Sequence, residues 1–250
     1  MKINIGKTSY TPGYYGKMRH FTAALAADNY MRAAEKKQSE AGKTSREKMP
    51  PTLCFSRKIG VGALEIADIL AEKIGYTVID REILEHIADE AKLTSKTVEL
   101  FDERYSGEID ELISLFFGEK SFVKSDYTRL LFKAVFSIAN AGPTIFVGRG
   151  THLLLPRERV LAVRFICSKE RRIRRLAGIL NVSETETEKE LEQMDKEQNS
   201  FFKKVYGKKE ASPYEFDMVV NCDYITDPGW AAGIVAQAFR EKFGNEMNIK

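Results

Sequence analysis

The chain has 250 residues, 43% of them apolar and 30% charged, with a formal net charge of +3. That is enough apolar material for a sizeable core, which excludes disorder throughout, and too little charge to argue for a nucleic-acid partner. No apolar run reaches membrane-spanning length and the N-terminus lacks a signal-peptide apolar core, so a cytoplasmic protein without a membrane partner is expected.

The basic excess is local: residues 1–50 carry ten Lys/Arg against four Asp/Glu, and residues 51–250 carry 29 against 32. The first segment opens with the turn-rich Thr8–Gly16. It then has a helical pattern from Phe21 to Lys37, with Ala24, Ala27, Met31 and Ala34 on one side, and a polar linker to Pro51. It reads as a mobile basic extension, residues 1–50, ahead of a globular unit over 51–250.

That unit begins with an apolar strand at Thr52–Ser56. The stretch Phe55-Ser56-Arg57-Lys58-Ile59-Gly60-Val61-Gly62-Ala63-Leu64 then turns through two glycines into a helix with Ile66, Ile69, Leu70 and Ile74 on one face, which Gly75 ends. Strand, glycine turn, helix is the layout that presents backbone N–H groups and a positive helix end to phosphate. Against the phosphate-loop pattern G-x-x-x-x-G-K-[ST], Gly62 fits the second glycine, while Arg57, Ala63 and Leu64 stand at the first glycine, the lysine and the hydroxyl.

Tyr76–Ile79 predicts a second strand ending at Asp80, and Ile83, Leu84 and Ile87 a helix. Short helices follow to Ser125, with Phe116-Phe117 beside Gly118 as a candidate homodimer contact. A helix bearing Leu130, Leu131, Ala134, Val135 and Ile138 stops at Gly142-Pro143, and Thr144–Gly148 has the continuous apolar character of a strand buried on both faces. Val160–Ile166 is another strand, followed by a basic helix from Ser168 to Leu180 and a long helix capped by Ser183 and Glu186. Met218–Cys222 is the last strand, and a helix carrying Trp230, Ile234, Val235, Ala238 and Phe239 closes the unit. Alternating strands and helices predict a mostly parallel, helix-covered sheet. Cys54, Cys167 and Cys222 lie far apart in apolar runs without metal spacing, and no metal-ligating residue is singled out. Ligands bind at the carboxyl ends of strands in such sheets, which nominates Ser56–Gly62, Asp80, Gly148-Arg149-Gly150 and the loop after Ile166.

These pieces, with Glu170-Arg171-Arg172, Asp195-Lys196-Glu197 and Asp217–Asn221, occur in the order of the cytidylate kinase-like family of phosphate-loop nucleoside monophosphate kinases, which residues 52 to about 225 resemble. The resemblance implies an α/β three-layer kinase fold, a parallel sheet of about five strands covered by helices, with a helical lid region. It implies transfer of the γ-phosphoryl group of ATP, with Mg2+, to a nucleoside monophosphate, most closely CMP. Ser56, Arg57, Lys58, Gly60, Val61, Gly62, Ala63 and Leu64 would hold the donor phosphates, and Asp80, Arg149 and Gly150 the acceptor. Arg57, Arg171 and Asp195 would act at the transferred group, Lys203 or Lys204 beside them.

Ala63 and Leu64 lack the lysine and the Mg2+-binding hydroxyl, Gly150 replaces an acid, and Gln198 stands where the family carries a lid arginine. Loss of an arginine that stabilises transition-state charge costs on the order of a thousandfold in rate. The alternatives are another small-molecule phosphotransferase on this scaffold, or a non-catalytic nucleotide-binding protein. His152 reads as a hydrogen-bonded structural residue rather than a base.

Overall fold

A computed structural model describes residues 3–5, 8–10, 32, 49–84 and 126–246. The expectations for the helix and linker of the extension (beyond Arg32, which is helical), for His86 and for the Phe116-Phe117 contact lie outside the described residues.

Five strands form one parallel sheet in the order β4-β5-β3-β6-β7: β3 (Thr52–Arg57), β4 (Thr77–Asp80), β5 (Thr144–Val147), β6 (Val160–Ile166) and β7 (Met218–Asn221). Period-two alternation sends β3 side chains to opposite faces. Leu53 and Phe55 pack with α1 (Ala63–Ile74) and the C-terminal helix, here α5 (Pro228–Phe243). Cys54 packs on the other face with α2 (Asp126–Ala141) through Leu131, Phe132, Val135 and Ile138. Both faces are therefore covered, giving the three layers. Leu53, Cys54, Ile145, Phe146 and Val163 are fully buried, which is why those strands read as unbroken apolar runs.

Helix α1 starts where Gly62 takes φ +96° and ends where Gly75 takes φ +70°, with the Gly75 N–H donating to the Ala71 carbonyl. The lid region is α3 (Lys169–Leu180) and α4 (Glu184–Tyr206). Ser168 caps α3, and Ser183 with Glu186 forms a reciprocal capping box on α4.

Near the N-terminus, β1 (Ile3–Ile5) and β2 (Thr8–Tyr10) pair antiparallel. Ile5 is fully buried among Ile59 of the glycine loop, Ile173, Leu176 and Leu180 of α3, and Leu191 and Met194 of α4. The first residues of the supposed mobile extension thus contribute to the core over the lid helices, because one isoleucine completes an apolar cluster that turn composition did not reveal.

Candidate functional site

The strands end together at one edge. In register, Phe55 and Asp80 both lie opposite Val147, and Arg57 lies opposite Phe165, so Arg57, Asp80 and the Gly148-Arg149-Gly150 turn emerge side by side. The glycine loop occupies the same edge. Its backbone is pressed against α3: a Cβ on Gly60, which has φ +88°, would stand 3.1 Å from both Arg172 Cβ and Leu176 Cδ1. The Arg172 guanidinium donates to the Ile59 carbonyl (3.2 Å) and grips Asp195 through both carboxylate oxygens (2.9 and 2.7 Å). Arg175 of α3 pairs with Glu65 in the first turn of α1 at 2.6 Å. Ala63 and Leu64 are buried in the sheet core, so neither side chain is available to a ligand.

On the other side of the loop, Arg57, Arg81 and Arg149 share a cleft with Gly148, Glu197, Gln198, Phe201 and Phe202. The Arg149 guanidinium carbon lies 4.0 Å from the centre of the Phe201 ring. Burial first, then the neighbouring Arg81 and Arg57 charges, push the Arg149 guanidinium down to about 9. It remains charged at neutral pH, so the cost of crowding is present in the folded state below about pH 9 and an anion in the cleft would offset it. Burial likewise lowers Arg81, with Tyr127 and Glu197 acting in the opposite direction.

A second cleft adjoins, lined by Lys58, Arg164, Asp195, Gln198, Asn199, Phe202, Glu210 and Ala211. Gln198 divides the two: its amide nitrogen donates to the Arg57 carbonyl at 2.7 Å, and its amide oxygen is buried without a hydrogen-bond partner. Ser56 faces into the sheet end, where its hydroxyl accepts from Arg164 at 2.7 Å.

The structure therefore brings Arg57, Arg149, Gly148 and Gln198 together. It holds Asp195 in its ion pair with Arg172. Arg171 lines neither cleft; its guanidinium reaches the Thr226 carbonyl at 3.4 Å. Lys203 and Lys204 are exposed and line neither cleft. Asp80 accepts from the Ile83 N–H at 3.1 Å, capping the helical turn that begins at Arg81. His152 contacts Glu215 at 3.3 Å and is held below the ordinary histidine value by burial.

Arg81, Glu197, Phe201, Phe202 and Tyr206 were not legible as site residues. Arg81 adjoins Asp80 and Glu197 belongs to the Asp195-Lys196-Glu197 piece; on α4 the further signal was spacing, since Phe202 and Tyr206 follow Gln198 every four residues and share its face.

For the implied ligands, two glycines at positive φ and a loop lying over the start of α1 fit donor phosphates. Among the described residues no group of three or more His, Cys, Asp or Glu could hold a metal, and Leu64 offers no hydroxyl. A Mg2+ would be carried by the nucleotide's own phosphates and water.

The cytidylate kinase-like family model matches residues 52–224. An uncharacterized protein from Eubacterium ventriosum ATCC 27560 has a crystal structure that superposes with TM-score 0.59 at 16% identity, covering 78% of this chain and 99% of that one. Shikimate kinase from Bacteroides thetaiotaomicron gives TM-score 0.38 at 16% identity over 77% and 98%. A gluconokinase from Sinorhizobium meliloti 1021 gives 0.40 at 12% over 80% and 100%. The first of these likenesses is one of fold alone. A search of curated proteins found no match. No helix among the described residues is long and apolar enough to cross a membrane.

Proposed function

The chain belongs to the cytidylate kinase-like family, and we propose that it transfers the γ-phosphoryl group of ATP to a nucleoside monophosphate, with CMP the first acceptor to test. The observation that carries this reading is the convergence of Arg57, Arg81 and Arg149 in one cleft beside the glycine loop. Phosphoryl transfer depends on positioning and charge neutralisation more than on covalent help from the protein, and crowded guanidinium groups supply both.

In this reading the backbone from Ser56 to Leu64 holds the donor phosphates, with the positive end of α1 beneath them. Arg149 and Arg81 hold the acceptor phosphate, and Phe201 supplies a flat apolar wall. Arg57 lies between donor and acceptor and provides the positive charge that Ala63 does not. Gly150 makes room for the Tyr206 ring behind the acceptor turn, and Asp80 holds the turn that carries Arg81. Asp195 fixes Arg172 against the loop. Mg2+ would supply charge neutralisation at the donor phosphates. The catalytic unit is assigned to residues 51–250.

A second reading, a nucleotide binder without turnover, is favoured by burial of Leu64 and by the neutral Gln198 at the loop. ATP and Mg2+ with CMP, dCMP, UMP, AMP and GMP, followed by coupled ADP release, separate the two. Turnover with at least one acceptor is expected. Absence of turnover with all five, together with thermal stabilisation by ATP, would establish the binder, and absence of both would sink each reading.

A further inference from the structure

The turn that carries Arg149 has an uncommon backbone. Gly148, Arg149 and Gly150 take φ of +98°, +56° and +68° in succession. For arginine the left-handed region is disfavoured by its Cβ, so it persists only when its surroundings hold it. At the turn's start the Gly148 N–H donates to the Phe55 carbonyl at 2.8 Å, and at its end the Leu153 N–H donates to the Gly150 carbonyl at 2.8 Å. Between these anchors stands the last residue of α4. The Tyr206 hydroxyl donates to the Arg149 carbonyl at 2.5 Å, and its ring covers Gly150 so closely that a Cβ there would lie 2.7 Å from Tyr206 Cε2. Five residues earlier on α4, Phe201 lies under the Arg149 guanidinium. The final turns of α4 thus take hold of both ends of Arg149, its carbonyl by a phenol and its charged head by a ring.

We propose that Tyr206 is a positioning residue for anion binding: its hydroxyl fixes the peptide after Arg149 and so aims the guanidinium into the cleft with Arg57 and Arg81. This rests on the reading of that cleft as the acceptor-phosphate site. It also couples acceptor to lid, because the helix that ends at Tyr206 carries Gln198 on the glycine loop and Asp195 on Arg172. Burial pushes the Tyr206 phenol up, so it remains a hydrogen-bond donor across the working pH range.

The test compares sulfate and inorganic phosphate binding, by calorimetry at neutral pH, in the full chain and in Tyr206→Phe, Arg149→Ala and the double variant. Tyr206→Phe keeps the ring over Gly150 and is expected to weaken anion binding about tenfold, which is about 1.4 kcal/mol. The double variant is expected to bind no more weakly than Arg149→Ala alone, because both changes remove one contact. A further chain with 3-fluorotyrosine at position 206 retains the ring and alters only the strength of the hydroxyl as a donor. It keeps the test decisive if Tyr206→Phe does not fold: its affinity should then follow the strength of the altered phenol as donor, and indifference would overturn the proposal. Unchanged anion affinity in a folded Tyr206→Phe, or additive losses in the double variant, would also overturn the role of Tyr206 while leaving the cleft intact. No binding of either anion by the unmodified chain would overturn the cleft reading and the proposal with it.

Discussion

On the α3 side of the glycine loop, Arg172 closes on Asp195 and Arg175 on Glu65, so each guanidinium meets a carboxylate at hydrogen-bond distance. On the other side, Arg57, Arg81 and Arg149 line a cleft whose lining includes one carboxylate, Glu197. The same side chain serves two purposes. Arg172 and Arg175 fasten the loop to the lid helices, whereas Arg149, disfavoured as a charge by burial and by the neighbouring Arg81 and Arg57, makes the cleft receptive to an anion. Arg172 and Arg175 should therefore report mainly on stability and Arg149 mainly on binding.

The largest expected effect tests the helix between the two regions. Gln198→Arg keeps a donor for the Arg57 carbonyl and adds charge beside the loop, so turnover should rise on the order of 10³-fold if that position faces the transferred group. An unchanged rate would show that it does not. Arg149→Ala should lower kcat/KM for the acceptor on the order of 10²-fold with little change in Tm. Parallel losses of binding and Tm would erase the distinction drawn above.

Asp195→Ala probes the paired side. Arg172 is buried and would lose its counter-charge, so unfolding by denaturant should show a loss of about 3 kcal/mol. A catalytic defect without that loss would return Asp195 to the transferred group. A chain begun at Met49 should remain folded but lose about 2 kcal/mol, the value of burying one isoleucine, as Ile59, Leu176 and Met194 become exposed. Unaltered stability would mean that Ile5 contributes nothing to the lid.

The smallest effect concerns acid. The contact with His152, assisted by Lys208, holds the Glu215 carboxyl down at about 2 against an ordinary 4.5. Its contribution is complete above about pH 4.5 and is lost as pH falls toward 2, so Glu215→Gln should flatten the acid limb of a Tm–pH curve. An unchanged limb would place acid sensitivity elsewhere.

Much of the architecture was legible in the chain. Unbroken apolar runs such as Thr144–Val147 announced strands buried on both faces, and Ser168, Ser183 and Gly75 marked helix ends by local hydrogen bonding. Local signals fell short in the site. Asp80 reads as a residue of the acceptor site, and only the structure supplies its hydrogen bond from the Ile83 N–H. Asp195 reads as an acid at the transferred group until Arg172 is found on both of its oxygens. The first residues read as a mobile arm because turn-rich composition says nothing about where one isoleucine is buried.

By itself the sequence determined the alternation of strands and helices, the glycine loop, and the absence of lysine and hydroxyl at Ala63 and Leu64, because these depend on residue type and short-range spacing. Only the tertiary structure decided which arginines fasten the loop to the lid helices and which gather in the cleft. Gln198 meets Arg57 across 141 residues and Tyr206 meets Arg149 across 57. Those distances along the chain are closed by packing α4 against the sheet edge, and no periodicity in the sequence encodes them.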